Sequence, residues 1–162
     1  MQTVRLRNFV KQKEAKTDKN LKIAIGCDHG GFELKNELIE FLKSEGIQNI
    51  EDFGTFSKES TDYPIYAKKV GNAVSKGEFD RGLLVCGTGV GMSICVNKIP
   101  GVRAVVCSEP VSAEYSRLHN NSNILCLGQR IVGSLLAKEI LKTWLETDFE
   151  AGRHKKRVDM YE

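Results

Sequence analysis

Leu83-Leu84-Val85-Cys86-Gly87-Thr88-Gly89-Val90-Gly91-Met92-Ser93 passes from an apolar triplet through a cysteine into a loop with glycine at every second position, then into a helix-like run. The triplet reads as the end of a buried strand. A chain that turns from strand to helix in so few residues needs backbone freedom, which glycine supplies. With no side chains in the way, the amides of residues 87–91 can approach an anion closely. The N-terminus of the following helix adds about half a positive charge. A thiol at Cys86 stands in that field, which favours its thiolate, and a thiolate beside amide donors is a base or nucleophile beside an oxyanion site. The bland alternative is that Cys86 is a small buried hydrophobe, a common fate of free cysteine.

Outward from this stretch, strand-like and helix-like segments alternate. Leu21 to Gly26 reads as the first strand, followed by the polar turn Cys27-Asp28-His29-Gly30-Gly31. Leu34, Leu38, Phe41 and Leu42 then share one helical face, and Gly46 ends that helix. Ile47 to Phe53 reads as a second strand. Thr61-Asp62-Tyr63-Pro64 opens a second helix, whose apolar face is Tyr66, Val70 and Val74. Gly82 to Val85 is the third strand and Val102 to Cys107 the fourth. Ser108-Glu109-Pro110 opens a helix with serine as the expected cap and proline in the first turn. That helix ends in His119-Asn120. Asn123 to Leu127 is the fifth strand, followed by Gly128-Gln129-Arg130. A helix spans Gly133 to Glu146, and a basic tail carries Arg153 and Arg157. Five strands alternating with helices through short links predict an α/β fold. The expected form is a Rossmann-like three-layer sandwich, a five-stranded parallel sheet with helices on both faces. No GxGxxG follows the first strand, which disfavours a dinucleotide site.

The chain has 162 residues and a formal charge of +3, distributed unevenly: residues 1–20 carry a net +4 and the remainder −1. Residues 1–20 are therefore expected to be a basic, flexible leader, with organellar targeting as its alternative role, and residues 21–162 a single domain. The near-neutral body argues against a nucleic-acid partner. No apolar run reaches the roughly 20 residues that cross a bilayer, so no membrane partner is expected. Five cysteines with no CxxC pair suit free thiols in a reducing, cytoplasmic setting. His29, His119 and His154 are far apart with no HxxxH spacing, so no metal and no cofactor are expected.

Asp28-His29, Cys86 to Ser93 and Arg130 each follow a strand or open a helix, and in this fold such ends gather along one edge of the sheet. His119 and Asn120 lie at a helix end. Arg153 and Arg157 either fold back within the chain or reach a neighbour. Guanidiniums grip phosphate bidentately. A thiol, imidazoles, a carboxylate and arginines suit acid–base work on a small phosphorylated substrate, and the lack of a Walker lysine argues against phosphoryl transfer. Each residue has a quiet alternative: Asp28 as a helix cap, His119 as a helix-end charge, Arg153 and Arg157 as a solvated tail.

The motifs Gly26-Cys27-Asp28-His29, Thr61-Asp62-Tyr63-Pro64, Cys86 to Gly91, Arg103-Ala104-Val105, His119-Asn120 and Gly152-Arg153-His154 together resemble ribose-5-phosphate isomerase type B. The wider group includes isomerases of galactose 6-phosphate and allose 6-phosphate. The likeness covers about residues 21–160. It implies interconversion of D-ribose 5-phosphate and D-ribulose 5-phosphate in the non-oxidative pentose phosphate pathway, without metal or cofactor. By the resemblance, Cys86 matches the proton-abstracting base and His119 the group that helps open the furanose ring; Thr88, in the glycine loop, is expected to relay a hydroxyl proton. Asp28, His29, Tyr63, Ser93, Asn120, Arg130, Arg153 and Arg157 match substrate-binding positions, the arginines on or near phosphate. Gly87, Gly89, Val90 and Gly91 match the loop around the enediolate. Relatives without the cysteine use a glutamate just after the loop. Met92 stands there in this chain and cannot accept a proton, so the chain looks like the cysteine type. The resemblance also implies a homodimer with shared active sites, with assembly to a tetramer left open. The rival expectations are a six-carbon sugar phosphate as substrate, a non-catalytic sugar-phosphate or nucleotide sensor, and a thiol redox module.

Overall fold

The computed structural model describes residues 17–162; residues 1–16, most of the expected basic leader, lie outside the described residues. Residues 17–20 rest on the domain. Thr17 is buried and its hydroxyl donates to Glu146 Oε1 at 3.0 Å.

The sheet has five parallel strands in the order β2-β1-β3-β5-β4. They are β1 (Ile23–Cys27), β2 (Ile50–Asp52), β3 (Arg81–Cys86), β4 (Ala104–Val106) and β5 (Ile124–Gly128). The three central strands are buried along nearly their whole length, which is why they read as continuous apolar runs. The two edge strands hold only three residues each, shorter than the apolar runs around them, because an edge strand pairs on one side and sees solvent on the other.

The pleat divides each central strand between two cores. Ile23, Ile25, Leu83, Val85, Leu125 and Leu127 face one side, under α1 (Phe32–Ser44), α4 (Pro110–Asn120) and α5 (Ser134–Glu146). Ala24, Leu84, Cys86, Ile124 and Cys126 face the other, under α2 (Tyr63–Ser75) and α3 (Val90–Val96). Each fully buried leucine or isoleucine contributes about 1.5–3 kcal/mol. The result is the expected three-layer α/β sandwich.

Two local expectations change. The cap of α4 is Glu109, not Ser108: both carboxylate oxygens accept from the Ser112 amide, at 2.9 and 3.0 Å. Pro110 at the first helical position fixes the boundary one residue later than serine would. The basic segment read as a tail contains a helix, α6 (Gly152–Val158), which buries His154 and Val158 on one side. Two buried positions among so many charges gave too little periodicity to signal it.

Candidate active site

Cys86 is the last residue of β3, and its thiol points to the α2–α3 side. The Gly89 amide donates to Cys86 Sγ at 3.0 Å, aiming a positive dipole at the sulfur. Gly89 has φ +78°, and a Cβ there would stand 2.9 Å from Val106 Cγ2 and 3.0 Å from the Leu127 carbonyl carbon. Glycine is therefore required twice over, by conformation and by space. Thr88 is exposed at the top of the loop, and its Oγ1 accepts from the Val90 amide at 3.4 Å. Ser93 lies in the first turns of α3, its amide bonded to Gly89 O. Met92 is fully buried in the α2–α3 core.

Neighbouring strands bring the other groups. The amides of Gln129 and Arg130 donate to the carbonyls of Cys86 and Gly87 at 2.9 and 3.0 Å, tying the segment after β5 to the loop. The Arg130 side chain lies over Gly87, where a Cβ would be 3.5 Å from Nε. After β1, Asp28 is buried and caps a single 3₁₀ turn (His29–Gly31), its Oδ1 accepting from the Gly30 amide at 2.9 Å. That turn sits on the loop, since a Cβ at Gly30 would be 3.1 Å from the Gly87 amide nitrogen. His29 Nδ1 is held against the Thr61 backbone, 3.2 Å from its amide nitrogen and 3.3 Å from its carbonyl oxygen. The Tyr63 ring covers Gly91, where a Cβ would meet its Cζ at 2.9 Å. Asp28, His29, Tyr63, Arg130 and the stretch from Cys86 to Ser93 thus meet at the C-terminal ends of the strands.

His119, Asn120, Arg153 and Arg157 do not join them within the chain. Helix α4 runs back along the sheet, so His119 and Asn120 reach the end where β5 begins. The Glu150 amide donates to Leu118 O at 3.1 Å and brings α6 to the same place. Cys86 pairs with Gly128 and Gly82 with Ile124, so one strand length separates the two ends, about 13 Å at 3.3 Å per residue. At this far end the His119 and His154 rings stack, with centroids 4.0 Å apart and planes within 9°. Tyr115 meets His119 edge-on. Glu150 Oε2 lies 3.3 Å from His154 Nε2 and 3.9 Å from His119 Nε2. Burial, then His119 and Arg153, hold the His154 imidazole below its usual range. A cavity of about 370 Å³ beside this cluster includes Asn120, Arg103 and Tyr161.

Sequence reasoning missed Glu150 and Lys35. Glu150 stands four residues before His154, a spacing that carries meaning only once α6 is known. Lys35 is fully buried, and its ammonium donates to Asp52 Oδ2 at 2.6 Å and Thr55 O at 2.8 Å, fixing the loop that leads to Thr61 and Tyr63. A lysine inside an amphipathic helix gives no warning of that. The other thiols differ from Cys86 in setting. Burial pushes Cys27 and Cys107 up to about 12 and Cys126 well above its ordinary value.

The family described as Ribose/Galactose Isomerase matches residues 23–161. Ribose-5-phosphate isomerase B of Escherichia coli is 56% identical over 138 residues, covering 85% of this chain and 92% of that protein. The solved structure of Clostridium thermocellum ribose-5-phosphate isomerase B superposes with a TM-score of 0.85 at 52% identity, covering 86% of this chain and 94% of that one. A more distant relative, D-erythrulose-4-phosphate isomerase of Pectobacterium atrosepticum, is 38% identical, covering 86% of this chain and 91% of that protein.

Proposed function

Because the chain belongs to the ribose/galactose isomerase family, we propose that it is an aldose–ketose isomerase. In this reading it interconverts D-ribose 5-phosphate and D-ribulose 5-phosphate through an enediolate. The observation that carries the chemistry is the Gly89 amide aimed at Cys86 Sγ at 3.0 Å, on a loop that Arg130 overhangs.

Arginines hold the phosphate. His119 moves the proton that opens the hemiacetal ring, with Asp28 close to the sugar hydroxyls. Cys86 thiolate removes the proton from C2 of the open aldehyde, and negative charge develops on O1. Loop amides of residues 87–91 stabilise that oxygen more in the transition state than in the ground state, which is what accelerates the step. Thr88 uses an acceptor lone pair on the Val90 amide, which leaves its hydroxyl proton available for relay between O1 and O2. The thiol then returns its proton to C1.

The separation of His119, Arg153 and Arg157 from Cys86 supports a homodimer in which each site draws on both chains. Val90, Ile94, Val106, Val111, Tyr115 and Ile131 are large apolar side chains left exposed around the β4 edge. Thr88, Val90, Val106 and Ile131 line a cavity of about 370 Å³ there. A two-fold axis perpendicular to the strands at this edge sets the His119 end of one copy against the Cys86 end of the other. No helix among the described residues is long and apolar enough to cross a membrane.

The test is a coupled assay on the purified chain with four-, five- and six-carbon aldose phosphates. Ribose 5-phosphate should give the highest kcat/KM. Binding of ribose 5-phosphate without formation of ribulose 5-phosphate would make the chain a sensor and sink the proposal. A preference for the four-carbon substrate would move it toward the erythrulose-phosphate relative.

A further inference from the structure

Three metal-ligating side chains from three separate elements converge at the far end of the sheet: His119 in the last turn of α4, Glu150 in the link after α5, and His154 in α6. We propose that they form a binding site for a borderline-soft divalent transition-metal ion, with zinc as its type, and that an ion held there takes His119 out of catalysis. The second half rests on the reading of His119 as the ring-opening group.

The donor atoms all lie within 4.8 Å of one another. A tetrahedral ion with bonds of 2.0–2.2 Å sets its ligands about 3.3 Å apart. Glu150 Oε2 and His154 Nε2 already stand at 3.3 Å, and Glu150 Oε2 and His119 Nε2 at 3.9 Å. The His119 and His154 rings stack within 9° of parallel, so their in-plane lone pairs converge on one ion only when His119 turns out of the stack, and the side chains that must adjust are free to do so: Glu150 is half exposed and His119 one-third exposed. The frame beneath them is tied, with the Glu150 amide on Leu118 O at 3.1 Å and the His154 amide on Ala151 O at 2.9 Å.

The ligand chemistry selects the ion. Two imidazoles and one carboxylate suit zinc, copper or nickel, whereas magnesium and calcium want oxygen throughout. A metal takes imidazole in its neutral form. Arg153 Nε donates to His154 Nε2 at 3.4 Å, which places a lone pair on the ligating nitrogen. An ion must displace that contact and meets repulsion from Arg153 and Arg157, which the Glu150 carboxylate offsets. Once bound, it occupies a ring nitrogen of His119 and fixes the imidazole that the proposed function uses to move the ring-opening proton.

The test uses the full chain, stripped with EDTA and titrated with zinc chloride by calorimetry. The titration is repeated in a Cys86→Ser background so that the loop thiol does not compete. A single site per chain is expected, weakened at least about tenfold by His154→Gln and by Glu150→Gln. Cobalt in place of zinc should give visible absorption bands that the same substitutions abolish. Turnover of ribose 5-phosphate by the unmutated chain should fall in step with zinc occupancy and return with EDTA. Zinc affinity unchanged in both variants would overturn the site. Zinc bound at the site with turnover undiminished would overturn the inhibitory half and fault His119 rather than the metal. A metal-free chain inactive on ribose 5-phosphate would fault the proposed function, while the calorimetry still decides the site.

Discussion

Cys27 and Cys86 close neighbouring strands of one sheet, and yet they have opposite surroundings. Cys27 pairs in register with Val85, so Cys86 stands one residue beyond it. That single step turns the side chain to the other face of the sheet. Cys27 enters the α1–α5 core with no exposure, its thiol donating to Thr55 O at 4.0 Å, with the Lys35–Asp52 pair nearby. Cys86 keeps 6% of its surface and receives an amide hydrogen from a glycine loop. The residue type is the same and so is the strand position. What differs is the face of the sheet: Cys86 turns toward the amides of the glycine loop and Cys27 into apolar packing.

The sharpest way to break this contrast is to exchange each thiol. Cys86→Ser should lower kcat by about 1,000-fold, the scale expected for a lost general base, with ribose 5-phosphate binding retained. Cys27→Ala should leave kcat near that of the unmutated chain. Steady-state kinetics beside equilibrium binding separates the two. Turnover surviving in Cys86→Ser would remove the sulfur from the chemistry.

Cys86 and His119 also lie at opposite ends of the sheet, and this leads to a second test. Coexpressed Cys86→Ser and His119→Asn chains should regain roughly a quarter of normal activity, because half the dimers are mixed and each mixed dimer has one intact site of two. Each variant alone should be nearly inactive. Failure to complement, with mixed dimers shown by mass spectrometry, would mean that each site is built within one chain.

The separation of His119 from Cys86 was half legible in the sequence. Alternating apolar strands with short links are enough to specify a parallel sheet, and in such a sheet every helix after a strand runs back to the opposite end. His119, at the close of α4, therefore had to lie away from Cys86. The stacking of His119 on His154 was not legible, because it depends on where α6 docks, and only His154 and Val158 anchor that helix. The edge strands were read too long for a similar reason: apolar residues such as Ile47, Val102 and Cys107 pack into the cores without extending the hydrogen-bonded ladder. Lys35 was invisible because its meaning lies in Asp52 and Thr55, both brought to it by the fold.

A third test asks how tightly the loop around Cys86 is seated. A Cβ at Gly128 would stand 2.5 Å from the Thr88 carbonyl carbon, a backbone contact that no rotamer relieves. Gly128→Ala should therefore cost about 3 kcal/mol, the upper range for overpacking, and lower Tm by roughly 6–12 °C. At Gly133, five residues on, a Cβ meets nothing within 4 Å, so Gly133→Ala should leave Tm nearly unchanged. Equal Tm values for the two variants would mean that the loop and β5 are less closely packed than the structure has them.

The sealed thiol supplies the smallest effect and the one that returns to the opening contrast. Burial raises Cys27 from an ordinary 9.0 to about 12, with Lys35 pulling it down and Asp52 and Asp28 pushing it up. The folded chain thus keeps a proton that the unfolded chain releases above pH 9. Where the folded state binds more protons, stability falls as pH rises, so this contribution is intact below pH 9 and is lost progressively toward pH 12. Cys107 behaves in the same direction, and its loss remains in any Cys27 variant. Chemical denaturation of Cys27→Ala and of the unmutated chain across pH 8–11 should give curves that converge as pH rises, the variant losing stability less steeply. Parallel curves would show that the thiol at the end of β1 is not held shut, and the difference between the two strand ends would shrink to the loop alone.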